Sequence, residues 1–106
     1  MNVLKENTLT IVLAILCAIY FGYYLSVMNW TSGGGDTYTH FLFAKYAFQH
    51  PENFVNHWGK PFFTLFAAPF AQLGLKGIEA MNIACGILSG VFAALTAKSL
   101  GYKFHF

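Results

Sequence analysis

The sequence predicts an all-α membrane protein in which two transmembrane helices are joined by an external loop carrying two short interfacial helices. Three observations predict it. Two apolar segments, Leu9 to Met28 and Ile78 to Leu100, have the length that crosses a hydrocarbon core, for which about 20 residues suffice. Of the 106 residues 57% are hydrophobic and 9% charged, with no arginine, whereas a soluble domain carries about a quarter charged residues. Two further apolar stretches, 37–49 and 61–73, are too short to span and are bounded by glycine and proline.

The same composition excludes other classes. The net charge of +2 comes from scattered lysines and forms no basic run, so nucleic acid is not an expected partner. Cys17 and Cys85 fall inside the apolar spans, far from any CxxC spacing, and read as small buried hydrophobes, not as a disulfide. A few membrane elements enclose little interior, so most of their surface must face lipid or a partner. The expectation is a piece of a larger protein.

The first span runs almost uninterrupted from Leu9 to Met28. A cleavable signal would have a shorter apolar core followed by small residues, but here Tyr20, Phe21, Tyr23, Tyr24 and Trp30 occupy the far end and suggest an interfacial aromatic belt. Gly33-Gly34-Gly35 then leads to Asp36, the only aspartate, standing where a helix can begin. An acidic group just beyond a span is costly to strand near the bilayer and is therefore a candidate for chemistry.

Residues 37–49 contain no glycine or proline and read as an interfacial helix, with Tyr38, Lys45 and Gln49 on one stripe and aromatic and small apolar residues over most of the rest. His50-Pro51-Glu52-Asn53 breaks it, and the loop continues to His57-Trp58-Gly59-Lys60. Pro61 suits the first turn of the next helix, where its missing N–H costs nothing. That helix, which holds Pro69 and is punctuated by Gly74 and Gly77, is expected to lie along or dip into the external leaflet. In the second span Asn82, Gly86, Gly90 and Ala94 recur every four residues, with Cys85, Ser89, Ala93 and Ala97 beside them, and the Gly86–Gly90 GxxxG spacing lets another helix backbone approach. Two spans put both termini on one side, and Lys98 with Lys103 favours the cytoplasm, although Lys45, Lys60 and Lys76 lie between the spans.

The order of these elements carries a resemblance. Gly35-Asp36, Tyr38, Ala44 to Ala47, and above all Trp58-Gly59-Lys60-Pro61-Phe62-Phe63-Thr64-Leu65 with Pro69-Phe70 resemble, in order and spacing, the N-terminal part of GT-C glycosyltransferases, within them the protein mannosyltransferase and aminoarabinose transferase branch. The resemblance runs from Leu9 to Tyr102. It implies a multi-span fold of which this chain is the beginning, and a polyprenyl-phosphate sugar donor. It also implies that Asp36 is the catalytic acid-loop residue, with Lys60, Tyr38 and His57 around the substrate. Thr37 stands where many relatives have a second acid, and Phe62 where many have a second proline. The implied setting is a bacterial or archaeal plasma membrane.

Each candidate has a plainer role. Asp36 suits an N-cap, and Lys60 can snorkel to the interface instead of meeting a phosphate. His40, His50 and His57 with Glu52 lack the spacing of a metal site, His57 reading as a loop residue; no cofactor follows, and a divalent metal is left open. Phe62, Phe63, Phe66 and Phe70 suit a lipid-carrier groove or, better, a membrane-facing surface, and Glu79 a helix-start charge. Two functions therefore compete: the start of a membrane glycosyltransferase, and a small non-enzymatic two-span subunit that packs through Gly86 and Gly90 on a partner helix. An open reading frame with many more spans downstream of Phe106 distinguishes them.

Overall fold

The computed structural model describes residues 3–27 and 34–102, with side chains in the first stretch from residue 7 onward. Among these residues the chain is all helical: α1 Val3–Val27, α2 Gly35–Tyr46, a 3-10 turn Pro51–Phe54, α3 Pro61–Ala71 and α4 Leu75–Ser99. Two of the helices, over Asn7–Val27 and Leu75–Ser99, are long and apolar enough to cross a membrane. None of the apolar window of α1 is buried within the chain and almost none of that of α4. Exposed apolar surface on this scale marks a membrane or partner face.

The boundaries differ from expectation for local reasons. The expected end of the first span at Met28, the belt residue Trp30 and the start of the glycine run at Gly33 lie outside the described residues. The helix expected over 37–49 begins two residues earlier and ends at Tyr46, because Ala47 and the turn residues after it close on carbonyls three and four residues back ahead of His50-Pro51. The next helix starts at Pro61 as expected and stops at Ala71. Pro69 sits inside it without ending it, removing one N–H from the ladder near the helix end.

Gly74 is the punctuation mark the sequence suggested: with φ +82 it caps α4 in a region costly for other residues. Gly77 is not. It lies inside α4, where a Cβ would strike the carbonyl oxygen of Phe70 and sit 2.9 Å from Leu73 Cβ, so its role is to admit the last turn of α3. Glu79 falls beyond the first turn of α4, outside the reach of the helix-start dipole effect proposed for it.

The core is small and lies at one end of the molecule. Phe41 and Ala44 of α2, Ala67 and Ala71 of α3, and Ile78 and Met81 of α4 form it, with Leu42, Phe63 and Leu75 against its edge. Alanines on α2 and α3 bring the two backbones close, and Gln72 ties them by donating to the carbonyls of Lys45 (3.0 Å) and Ala68 (2.9 Å). Burial along α4 ends at Met81, so α3 leaves α4 after its first two turns and does not run along it as a hairpin partner.

Elsewhere α4 meets α1, whose Asn7 accepts a hydrogen bond from Lys98 Nζ at 3.0 Å. Between these helices an apolar groove of about 520 Å³ opens, lined by Leu13, Ala14 and Cys17 on one side and Gly86, Gly90 and Ala94 on the other. The glycine stripe thus faces α1 without touching it, since a Cβ at Gly86 or Gly90 would meet nothing within 4 Å. Cys17 and Cys85 are free thiols exposed at the surface of the chain, not the buried hydrophobes expected, because neither span is enclosed.

Candidate functional site

Two contacts fix the relative direction of α2 and α3. The His40 ring meets Phe63 near the start of α3 at 6.0 Å between centroids, edge to face, whereas the Lys45 carbonyl meets Gln72 just past its end. The helices therefore run in the same general sense. Residues 47–60 make the return crossing, held by the Phe48–Phe54 ring contact at 5.8 Å. As a result the N-terminus of α2, which carries Asp36, and the N-terminus of α3, which carries Lys60, lie at the same end of the pair.

Asp36 occupies the first turn of α2, one residue past the helix start, and is exposed. Its plainer reading as the N-cap is overturned. Gly34 is the cap residue, its carbonyl accepting from the N–H of Thr37 at 3.1 Å, and no side chain caps the helix. The glycine run permits this, because the chain enters the helix two residues sooner than an aspartate cap requires. Within the described residues the Asp36 carboxylate forms no hydrogen bond or ion pair, and its charge lies where the helix dipole favours an anion.

Lys60 is held in an unusual state. It is the only non-glycine residue of positive φ among those described, at φ 52 and ψ 86, a conformation costing about 1–3 kcal/mol. Pro61 bars it from the right-handed helical region, and the turn before it is built tightly. Asn56 Oδ1 accepts from the N–H of Trp58 at 2.9 Å. Gly59 is buried, with Thr64 Oγ1 at 3.1 Å and the carbonyls of Asn53 and Asn56 at 3.4 Å from where a Cβ would stand. Thr64, the one buried polar side chain among the described residues, donates its hydroxyl to the Gly59 carbonyl at 2.5 Å. The Trp-Gly-Lys-Pro segment is thus a braced turn with the Lys60 side chain left exposed.

His57 is exposed in the same turn, its ring 6.3 Å from that of Trp58, as expected of a loop residue. Tyr38 is not brought beside Asp36. Two residues apart on a helix, they point to different sides, and the Tyr38 ring lies 5.8 Å from Phe41, over which Lys45 Nζ also sits at 5.5 Å. The histidines likewise stay apart. His50 pairs with Glu52 at 3.3 Å on an exposed edge, and among the described residues no three of His, Cys, Asp and Glu are grouped so as to hold a metal ion.

One residue the sequence did not single out for this site is His40. It follows Asp36 by four residues, one turn on the same face, and its Nδ1 is buried with no hydrogen-bond partner. The i, i+4 spacing of a carboxylate and an imidazole was the available signal. An open cleft also runs along α2, lined by Thr39, Phe43 and Tyr46 and closed at its far end by His50, Glu52 and Asn53. Asp36, Thr39, Phe43 and Tyr46 recur at three- and four-residue intervals and so share one side of the helix. No family model matches this chain, and no curated protein or solved structure is significantly similar to it.

Proposed function

We propose that the chain is the N-terminal part of an integral-membrane GT-C-type glycosyltransferase that moves a sugar from a polyprenyl phosphate to an acceptor hydroxyl. The setting is a bacterial or archaeal plasma membrane, with both termini cytoplasmic. The observation that supports it best is the convergence of Asp36 and Lys60 at one end of the α2–α3 pair, each at the start of a helix. In this reading the acceptor hydroxyl gives its proton to the Asp36 carboxylate as its oxygen bonds to the anomeric carbon. The bond from that carbon to the phosphate oxygen breaks, and the polyprenyl phosphate leaves with the electron pair. Lys60 and the N–H groups at the two helix starts offset the negative charge of the leaving group. His40 lies one turn from Asp36 on the same face of α2.

Transfer of labelled sugar from a polyprenyl phosphate, measured in membranes bearing the full-length protein, tests this. Asp36→Asn should abolish most turnover at unchanged protein abundance. Retention of near-full transfer would remove Asp36 from the chemistry.

The second reading is a non-enzymatic two-span subunit, and the open α1–α4 groove favours it. Gly86 and Gly90 are spaced for close helix packing and receive none from α1. A partner helix, or a further span of the same protein, fits that stripe. Cross-linking between cysteines placed at Gly86 and on candidate partners separates the two cases, since an enzyme that continues past this chain cross-links within itself.

A further inference from the structure

The α2–α3 cap is arranged with its large apolar side chains outward. On α3 the inward face is Thr64, Ala67, Ala68 and Ala71, all fully buried. The outward face carries Phe62, Leu65, Phe66 and Phe70, with Phe62 81%, Phe66 67% and Leu65 56% exposed. At 100° per residue these four fall within one arc, opposite the alanines. A helix in water packs its large apolar residues inward, so this face has another neighbour.

The connection to α4 limits what that neighbour is. α4 has 25 residues and so is about 37 Å long, a few ångströms more than a hydrocarbon core of about 30 Å. If α4 spans, its first turn stands at the membrane boundary. Only Gln72, Leu73 and Gly74 separate that turn from α3, and Gly77 holds the two backbones in contact. α3 therefore lies at the same level, and it does not run down α4, because burial on α4 stops at Met81. Its outward aromatic face is, like the surfaces of the spans, apolar and uncovered within the chain. The corresponding side of α2 is mixed, with Asp36 and Thr39 beside Phe43 and Tyr46 along it.

We propose that the cap is a two-layer device on the membrane: α3 lies along the external leaflet with Phe62, Leu65, Phe66 and Phe70 set among the lipid chains, and α2 rides on its opposite side, in water. The Asp36 carboxylate then stands about one helix spacing, 8–10 Å, above the layer that anchors it. This rests on the reading of α1 and α4 as spans, though not on glycosyl transfer.

The test uses the full-length protein in liposomes of phosphatidylcholine brominated either near the headgroup or near the end of the acyl chains. Every tryptophan, Trp30 and Trp58 among them, is replaced by phenylalanine, and a single one is returned by Phe66→Trp, Tyr46→Trp or Leu88→Trp. The expected result is that Phe66→Trp loses most of its emission to the shallow bromines and little to the deep ones. Tyr46→Trp should answer only to aqueous iodide, and Leu88→Trp, in the middle of α4, only to the deep bromines. If Leu88→Trp is quenched from the lipid but Phe66→Trp is not, the α3 face is covered by protein or water and the proposal fails while the spans stand. Quenching of Phe66→Trp that appears only on dilution into excess lipid identifies a second copy as its occupant and also overturns it. Quenching of Tyr46→Trp from the lipid removes the two-layer arrangement. Failure of Leu88→Trp to be quenched removes the spans and the proposal together.

Discussion

Replacing Gly77 with alanine should separate the cap from α4. The new methyl group would lie 3.0 Å from the carbonyl carbon of Phe70 and 2.9 Å from Leu73 Cβ, with the Phe70 oxygen closer still. Carbon atoms pack comfortably at 3.5–4.0 Å, so the last turn of α3 must retreat by roughly 1 Å. The obstacle is backbone and cannot swing aside as a side chain does. Overpacking of this kind costs about 1–3 kcal/mol, against up to about 1 kcal/mol gained from the better helix propensity of alanine. Gly22→Ala, inside α1 with nothing within 4 Å of the new Cβ, collects the gain alone. The two variants should therefore differ by about 1–3 kcal/mol, the overpacking term. The assay is unfolding in mixed micelles at rising fractions of a denaturing detergent, followed by Trp58 fluorescence, with amide hydrogen exchange to locate the loss. Exchange should quicken in α2 and α3 of Gly77→Ala and not in the middle of α4. Equal midpoints for the two variants, with unchanged exchange in α3, would refute the contact.

Other outcomes follow from the site and the turn that braces it. Asp36→Asn should lower turnover of the full-length protein by about 10²-fold or more if the carboxylate is a general base, with little change in stability because Gly34 supplies the cap; transfer of labelled sugar and a melting curve check both. Thr64→Val keeps the shape but strands the Gly59 carbonyl, a loss of about 1–3 kcal/mol that Thr64→Ser should largely avoid, measured by the same detergent titration. Lys60→Gly should hold or raise stability, because glycine accepts the left-handed backbone, yet reduce use of a polyprenyl-phosphate donor, whereas Lys60→Val should lower both. Cysteines placed at Asp36, His57 and Lys60 in a background lacking Cys17 and Cys85 should react with an impermeant thiol reagent from outside the cell, and those at Lys5 and Lys103 should not; labelling at Lys5 but not at Lys60 would reverse the topology.

The two long helices were legible because length and apolar content accumulate along the chain and need no partner to be read. The loop helices were legible to within a few residues, since His50-Pro51 and Lys60-Pro61 mark their limits by local sterics. What the sequence could not show depends on approach in space. Gly77 looks like a turn residue until the Phe70 carbonyl is seen against it, and Gly86 looks like a contact until α1 is seen to stand off. The cap position slid from Asp36 to Gly34 because three successive glycines leave the helix start undetermined by side chains. The common direction of α2 and α3, which places Asp36 and Lys60 at one end, is set by how residues 47–60 cross back, and no periodicity encodes it. The orphaned Nδ1 of His40 likewise follows from burial in the folded chain.

Among the described residues, α4 meets both α1 and the α2–α3 cap. The α2–α3 cap is fastened to its first two turns, and the Asn7–Lys98 bond holds α1 near its last. Between those fastenings its glycine face looks onto the groove it shares with α1, so one helix carries the seat of the cap and the packing of the first span together. A tilt of about 10° at the Lys98 end would carry the cap sideways by about 6 Å, given a helix about 37 Å long. Any change in the angle between α1 and α4 would therefore move Asp36 together with the cap.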